Sequence, residues 1–204
     1  MARNIGLFGG TFDPPHLGHL IIAQSLVEQV PLDRMVFVPS GHPPHKQDRV
    51  LTAGDYRIRM LELALADNPA FSISDWELHQ ASLTYTIHSV RHYHEEYPDA
   101  QLFWIIGADN LADLPTWHQF DRLIEEVQIV TAWRGGFDID RVLAGLRPQL
   151  TEAQFERLRT RVVRTPQIEI CAQDLRTRVR AGLTLRYHVP PAVENYIRRE
   201  GLYR

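Results

Sequence analysis

Apolar and polar positions along this chain alternate between two periods. Short runs of consecutive apolar residues, the mark of strands buried on both faces, begin at 3–8 (Arg-Asn-Ile-Gly-Leu-Phe) and 34–39 (Arg-Met-Val-Phe-Val-Pro). They recur at 71–74, at 101–107 (Gln-Leu-Phe-Trp-Ile-Ile-Gly) and at 128–133 (Gln-Ile-Val-Thr-Ala-Trp). Helical spacing fills the intervals. Leu17, Leu20, Ile21, Val27 and Val30 follow the first run, and 53–66 follows the second. The stretch 84–96 follows the third with Thr84 as its expected N-cap, and 115–126 follows the fourth, opened by Pro115. Strand and helix patterns in alternation predict an α/β fold with a parallel sheet, 101–107 being its most apolar and central strand.

The last third changes character. Residues 138–161 are polar and helical with a break at Gly145 and Pro148, and they read as a surface insertion. A last strand is expected at 162–163 and 168–170. Helices at 172–181 and from Pro190-Pro191 to about Glu200 then make a small C-terminal helical part. At 204 residues the chain is expected to be a single domain, with 1–136 as its core, 137–161 as the insertion and 162–204 as the closing segment.

Composition removes several classes of function. A formal net charge of −3 leaves no basic footprint for nucleic acid. No apolar run approaches the length of a membrane span, and the N-terminal pattern is that of a strand rather than a secretion signal. A lone cysteine, Cys171, allows no internal disulfide and suits a reducing compartment, so a cytoplasmic location is expected. Of 22 basic side chains only Lys46 is a lysine, which makes that one position stand out. A compact ammonium can reach a phosphate where a planar guanidinium does not fit.

The candidate chemistry gathers where the first strand meets the first helix: Gly9-Gly10-Thr11-Phe12-Asp13-Pro14-Pro15-His16-Leu17-Gly18-His19. Glycines without Cβ atoms let backbone N–H groups approach a bulky anion. A helix opening after prolines presents free N–H groups and a favourable dipole to negative charge. His16 and His19, three apart, share one face of its first turn. The spacing matches neither G-x-x-x-x-G-K-[ST] nor G-x-G-x-x-G.

A second loop, Ser40 to Gln47, follows the second strand and contains Lys46 beside the pair His42/His45. Two His-x-x-His pairs suggest zinc, but no cysteine supports it and both lie in phosphate-type loops. His88, His92 and His94 read as solvated positions on their helix. Asp109, just past the central strand, suits either a ribose hydroxyl or the capping of the next helix. Trp117 suits either the core or a stacking face for a flat ring.

Residues 10–19 carry the signature G-x-F-D-P-x-H-x-G-H, and with it the chain resembles the nucleotidyltransferases related to class I aminoacyl-tRNA synthetases. The Pro-Pro-His-Lys loop at 43–46, Thr84-Tyr85-Thr86, Ile106 to Asn110, Leu114 to Trp117 and the tail from Leu185 to Val193 narrow this. Together they resemble the nicotinate-nucleotide adenylyltransferases along nearly the whole chain. The resemblance implies a Rossmann-like, doubly wound sheet and transfer of AMP from ATP to nicotinate mononucleotide, with Mg²⁺ carried by ATP. It implies ATP against Gly9, Gly10, Thr11 and Phe12, with adenosine held by Gly107, Asp109 and Arg134. His16, His19, Lys46 and Arg176 would act on the phosphates, and Tyr85, Thr86, Trp117 and His118 would hold the nicotinate nucleotide.

One segment departs from the resemblance. Where these enzymes read Ile-Ser-Ser/Ala-Thr-x-x-Arg, this chain reads Ile170-Cys171-Ala172-Gln173-Asp174-Leu175-Arg176. The arginine remains, the hydroxyls do not, and Gln173 is the expected substitute donor toward ATP. Each neutral hydrogen bond lost would cost about 0.5–1.5 kcal/mol. The altered segment leaves open a nucleotide-binding regulator without turnover. An adenylyltransferase for another acceptor, such as nicotinamide mononucleotide or phosphopantetheine, is the second alternative.

Overall fold

The computed structural model describes residues 3–41, 51–136 and 138–204. Its strands are β1 (Asn4–Gly10), β2 (Arg34–Pro39), β3 (Phe71–Ile73), β4 (Gln101–Gly107), β5 (Gln128–Trp133) and β6 (Val162–Arg164). They form one parallel sheet in the order β3-β2-β1-β4-β5-β6. The chain winds outward from β1 in one direction, then returns past it to β4 and winds the other way. This is the doubly wound arrangement, and β4 lies beside β1 at its centre.

The helices are α1 (Leu17–Gln29), α2 (Gly54–Leu65), α3 (Thr86–Glu96), α4 (Ala108–Asp113), α5 (Phe120–Glu126), α6 (Ile139–Leu146), α7 (Glu152–Arg159), α8 (Ala172–Arg180) and α9 (Pro191–Glu200). They cover both faces of the sheet, which is why β4 is apolar at every internal position. Leu102, Trp104 and Ile106 point to one face and meet Ile87, Val90, Leu111 and Leu123 from α3 to α5. Phe103 and Ile105 point to the other and meet Ala23, Leu26 and Leu61 from α1 and α2. Burying each large apolar side chain stabilises the fold by about 1.5–3 kcal/mol. A third cluster, with Met60, Leu175, Val193 and Ile197, seats α8 and α9 on the outer side of α2.

Four sequence expectations need correction. The segment 138–161 is no surface decoration: α6 and α7 bury Leu143, Leu146, Phe155 and Leu158 in the larger core, as the crossover from β5 to β6. The last strand stops at Arg164, and 168–170 form no strand. Thr84 is not the cap of α3. Tyr85 occupies the N-cap position, and the buried Thr84 hydroxyl turns back to the Ser82 carbonyl at 3.4 Å. The expected helix 115–126 is two pieces, a 3-10 turn at Leu114–Thr116 and α5. They are separated by Gln119 in the left-handed region at φ 52°, which leaves Trp117 and His118 on a bend instead of inside a helix.

The histidines of α3 also make specific contacts. His92 stacks on Trp76 with ring centroids 4.2 Å apart, and His94 bonds the Glu126 carbonyl at 2.6 Å. Among the described residues no helix is long and apolar enough to cross a membrane.

Candidate active site

Where the strand order reverses, the C-terminal ends of β1 and β4 feed loops in opposite directions and leave a crevice between them. A cleft of about 350 Å³ opens there, within the range of small-molecule sites. Its floor is Phe8 to Thr11 from β1 and Trp104 to Gly107 from β4, with Ser40, Ala132 and Arg134 from the ends of β2 and β5. His19 and Ile22 of α1 face it from one side. Glu77, Thr84, Tyr85 and Thr86 face it from another, and Asn110, Trp117 and His118 complete its mouth.

Most of the residues expected on the nucleotides thus converge on one cavity, from segments as far apart as 9–11, 84–86 and 107–134. The glycine pair is there for room. A Cβ on Gly10 would lie 2.9 Å from the Phe12 ring, and one on Gly9 would lie 3.0 Å from the Trp104 ring. At Gly107 the constraint is a side chain: Asp109 folds its carboxylate back over that Cα, so a Cβ would collide with Oδ1. Asp109 does not itself line the cleft. Its Oδ1 is 4.0 Å from the Arg134 guanidinium, which does.

The two histidines divide their work. The His16 backbone N–H donates to His19 Nδ1 at 3.2 Å. An accepting Nδ1 places the hydrogen of a neutral imidazole on Nε2, so His19 offers a donor from that atom. Its ring is held edge-on by Phe12 at 5.0 Å and is stacked on His16 at 3.6 Å. His16 was expected to act on the phosphates beside His19, but it is buried and burial lowers its pKa to about 4, with the nearby Arg134 cation pushing the same way. It is therefore neutral at physiological pH and lies outside the cleft lining, beneath His19.

Three further expectations meet a different geometry. Phe12 is buried in the core at φ 47° and supports His19 from behind, away from the ATP position expected for it. Arg176 donates from Nη1 to the Asp13 carbonyl at 2.6 Å, bracing the phosphate loop from outside the cleft. Gln173 is exposed and does not line the cavity. Nor does the start of α1 present a row of free N–H groups. The Leu17 N–H is taken by the His188 carbonyl and the His19 N–H by the His16 carbonyl, both at 2.9 Å. Lys46 lies outside the described residues.

The departure at 171–173 has a local meaning. Cys171 is the N-cap of α8 and makes no side-chain capping bond, while Asp174 lies in the first turn, where the helix dipole favours a carboxylate. A hydroxyl at 171 would serve the helix before any nucleotide. Cys171→Ser is expected to stabilise the protein by about 1 kcal/mol and to raise Tm by roughly 2–4 °C in thermal melts. An unchanged Tm would show that the cap is supplied in another way.

Glu77 is the site residue that sequence reasoning passed over, although a carboxylate just past a strand's C-terminal end is a usable signal. It is buried, and Oε1 accepts from the Ser89 hydroxyl of α3 at 2.5 Å. Burial pushes its pKa up to about 7, against the opposing pull of the Ser89 bond. Below about pH 4.5 the carboxyl is protonated in both folded and unfolded chains. Between there and pH 7 only the unfolded chain ionises, so stability from this group is lost as pH rises through 7. Comparing Tm at pH 5 and pH 8, wild type is expected to lose on the order of 2–3 kcal/mol relative to Glu77→Gln. Parallel pH dependence in the two proteins would refute this.

Residues 7–170 match the cytidylyltransferase-like family model. A "probable nicotinate-nucleotide adenylyltransferase" of Thermomicrobium roseum is 44% identical over 204 residues, covering 100% of this chain and 92% of that protein. One of Moorella thermoacetica is 41% identical over 201 residues, covering 98% and 91%. Among solved structures, the Plasmodium falciparum nicotinic acid mononucleotide adenylyltransferase complexed with NaAD aligns with TM-score 0.75 at 18% identity, over 98% of this chain and 97% of that one. At that identity the likeness speaks for the fold. The full-length relatives speak for the family, and the chain belongs to the nicotinate-nucleotide adenylyltransferases within the cytidylyltransferase-like family.

Proposed function

We propose that this protein transfers the AMP moiety of ATP to nicotinate mononucleotide, releasing pyrophosphate and forming deamido-NAD. One observation carries the reading. A single cleft joins a phosphate-sized end, made by Gly9 to Thr11 with His19, to an aromatic end made by Tyr85, Trp117 and His118. That is the shape needed to lay two nucleotides phosphate to phosphate.

The nucleophile is the 5′-phosphate of the mononucleotide, which attacks the α-phosphorus of ATP while the bond to the β-phosphate oxygen breaks. A phosphate monoester has a second pKa of about 6 and is already an oxyanion at neutral pH, so no general base is required. The protein has to hold two charged groups in line and to receive the charge that grows on the α-phosphate and on the leaving pyrophosphate. His19 Nε2–H and the backbone N–H group of Thr11 supply preorganised donors, and Arg134 supplies positive charge. The resemblance gives Lys46 a further charge for the phosphates, while Arg176 acts through the loop it braces at the Asp13 carbonyl.

Trp117 stacks on the nicotinate ring, and the N–H groups at the start of α3, at Tyr85 and Thr86, donate to its carboxylate. Asn110, Gly107 and Arg134 border the adenosine. Among the described residues no three His, Cys, Asp or Glu side chains converge to hold a metal. We assign Mg²⁺ to the triphosphate, where it neutralises phosphate charge and keeps part of its water shell.

The test is pyrophosphate release with ATP and Mg²⁺, comparing nicotinate mononucleotide, nicotinamide mononucleotide and phosphopantetheine. Strong preference for the nicotinate nucleotide is expected. Preference for another acceptor would keep the chemistry and change the substrate. ATP binding without release would favour a regulator.

A further inference from the structure

Arg57, on the first turn of α2, is 3% exposed and lies below the cleft, outside its lining. Nothing in the reaction scheme uses it. A guanidinium cannot shed its charge, so burying one is costly unless its donors are matched. Here they are matched by three backbone carbonyls from three segments. Nη1 donates to the carbonyls of Thr11 at 3.0 Å and Ser40 at 2.8 Å, and Nε donates to that of Thr52 at 2.8 Å. Thr11 and Ser40 both line the cleft. Thr11 belongs to the phosphate loop. Ser40 and Thr52 flank the stretch that includes Lys46.

A second buried charge completes the arrangement. Asp13, 2% exposed, accepts from the Thr52 N–H through Oδ2 at 3.2 Å and from the Tyr203 hydroxyl through Oδ1 at 2.6 Å. Its attraction partly offsets the burial cost of the Arg57 cation. The end of the chain is thereby fastened to a loop 190 positions earlier. These bonds join charged groups at two buried side chains, and hydrogen bonds to charged groups are the stronger kind.

We propose that Arg57 is a positioning residue of the reaction, holding the phosphate loop and both flanks of the Lys46 stretch in one arrangement, with Asp13 and Tyr203 as its counterpart. The inference rests on the nucleotidyl-transfer reading of the cleft. Its reason is geometric: phosphoryl transfer is limited by alignment, and a displacement of about 1 Å can cost roughly a hundredfold in rate. Thr11 and Ser40 line the phosphate end of the cleft side by side, where β1 and β2 end as paired strands, and Arg57 ties their two carbonyls to one guanidinium nitrogen. A lysine keeps the charge but gathers its donors on one atom, so it cannot span carbonyls that two edges of the guanidinium now reach.

The test measures Arg57→Lys and Tyr203→Phe with both substrates at a temperature where melts show each variant folded. For Arg57→Lys, kcat is expected to fall about ten- to a hundredfold and KM for ATP to rise. KM for nicotinate mononucleotide should stay within about twofold, because Trp117 is held by the larger core and Tyr85 by its place as the N-cap of α3, neither of which Arg57 touches. Tyr203→Phe should shift the same parameters in the same direction by about two- to tenfold. A lowered Tm with unchanged kcat and KM would overturn the proposal and leave Arg57 a stabilising residue only. If Arg57→Lys does not fold, Tyr203→Phe decides, and an unchanged kcat overturns it. If wild type releases no pyrophosphate with any acceptor, the functional reading fails instead. ATP affinity by calorimetry then decides the positioning role, which equal affinity in wild type and Arg57→Lys would overturn.

Discussion

Replacing His19 by alanine is expected to lower kcat about a hundredfold, the scale on which one preorganised donor to a developing oxyanion is lost. The effect should fall on kcat more than on KM for either nucleotide, because the charge it meets grows only as the α-phosphorus is attacked. The basis is the tautomer. His16 N–H occupies Nδ1, which puts the hydrogen on Nε2, and the stacked His16 ring with the edge-on Phe12 ring fixes where it points. His19→Asn, which retains an N–H donor, should recover part of the rate. Steady-state kinetics with both substrates would decide it. A near-normal kcat in the alanine variant would remove His19 from the mechanism.

Trp117→Ala is expected to act on the other end of the cleft. Stacking of an aromatic side chain on a base is worth about 1–3 kcal/mol, so KM for nicotinate mononucleotide should rise roughly five- to a hundredfold. KM for ATP should change by less than about twofold, since ATP occupies the glycine-loop end. Trp117→Phe, with a smaller ring in the same place, should fall between. Trp117 also leans on the core beside Leu114 and Phe120, so a melt should accompany the kinetics. An unchanged KM with a lowered Tm would assign this tryptophan to packing alone.

Several features of this protein could be read from residue order because they depend on neighbours in sequence. The strand–helix alternation, the central place of 101–107 and the glycine loop between β1 and α1 are of this kind. Their physics is local: two-faced burial makes a run continuously apolar, and the residues of a βα turn are contiguous. Family resemblance was legible for the same reason, since residues 10–19 carry their signature without a gap.

What failed to be legible depends on distant partners. Residues 138–161 look polar because α6 and α7 bury few side chains fully, Leu143, Leu146, Phe155 and Leu158, with Ile139 and Val142 packed beside them. Glu77 reads as one more surface carboxylate until the Ser89 hydroxyl and the surrounding burial are seen. Gly9 and Gly10 read in sequence as room for an anion, whereas the nearest atoms a Cβ would meet are the rings of Trp104 and Phe12. His16 and His19 are alike in sequence. Only packing makes one a buried neutral support, its pKa lowered by desolvation, and leaves the other facing the cleft.

The order of residues by itself determined the α/β class, the position of the phosphate loop and the family. The tertiary structure decided which side chains of that loop face the cleft, that α1 has its first N–H groups already engaged, and that Arg57 and Asp13 lie beneath the site. The division follows from range. Backbone periodicity is set by residues a few positions apart, while the charge, exposure and direction of a site residue are set by desolvation and hydrogen bonds from segments the fold brings together.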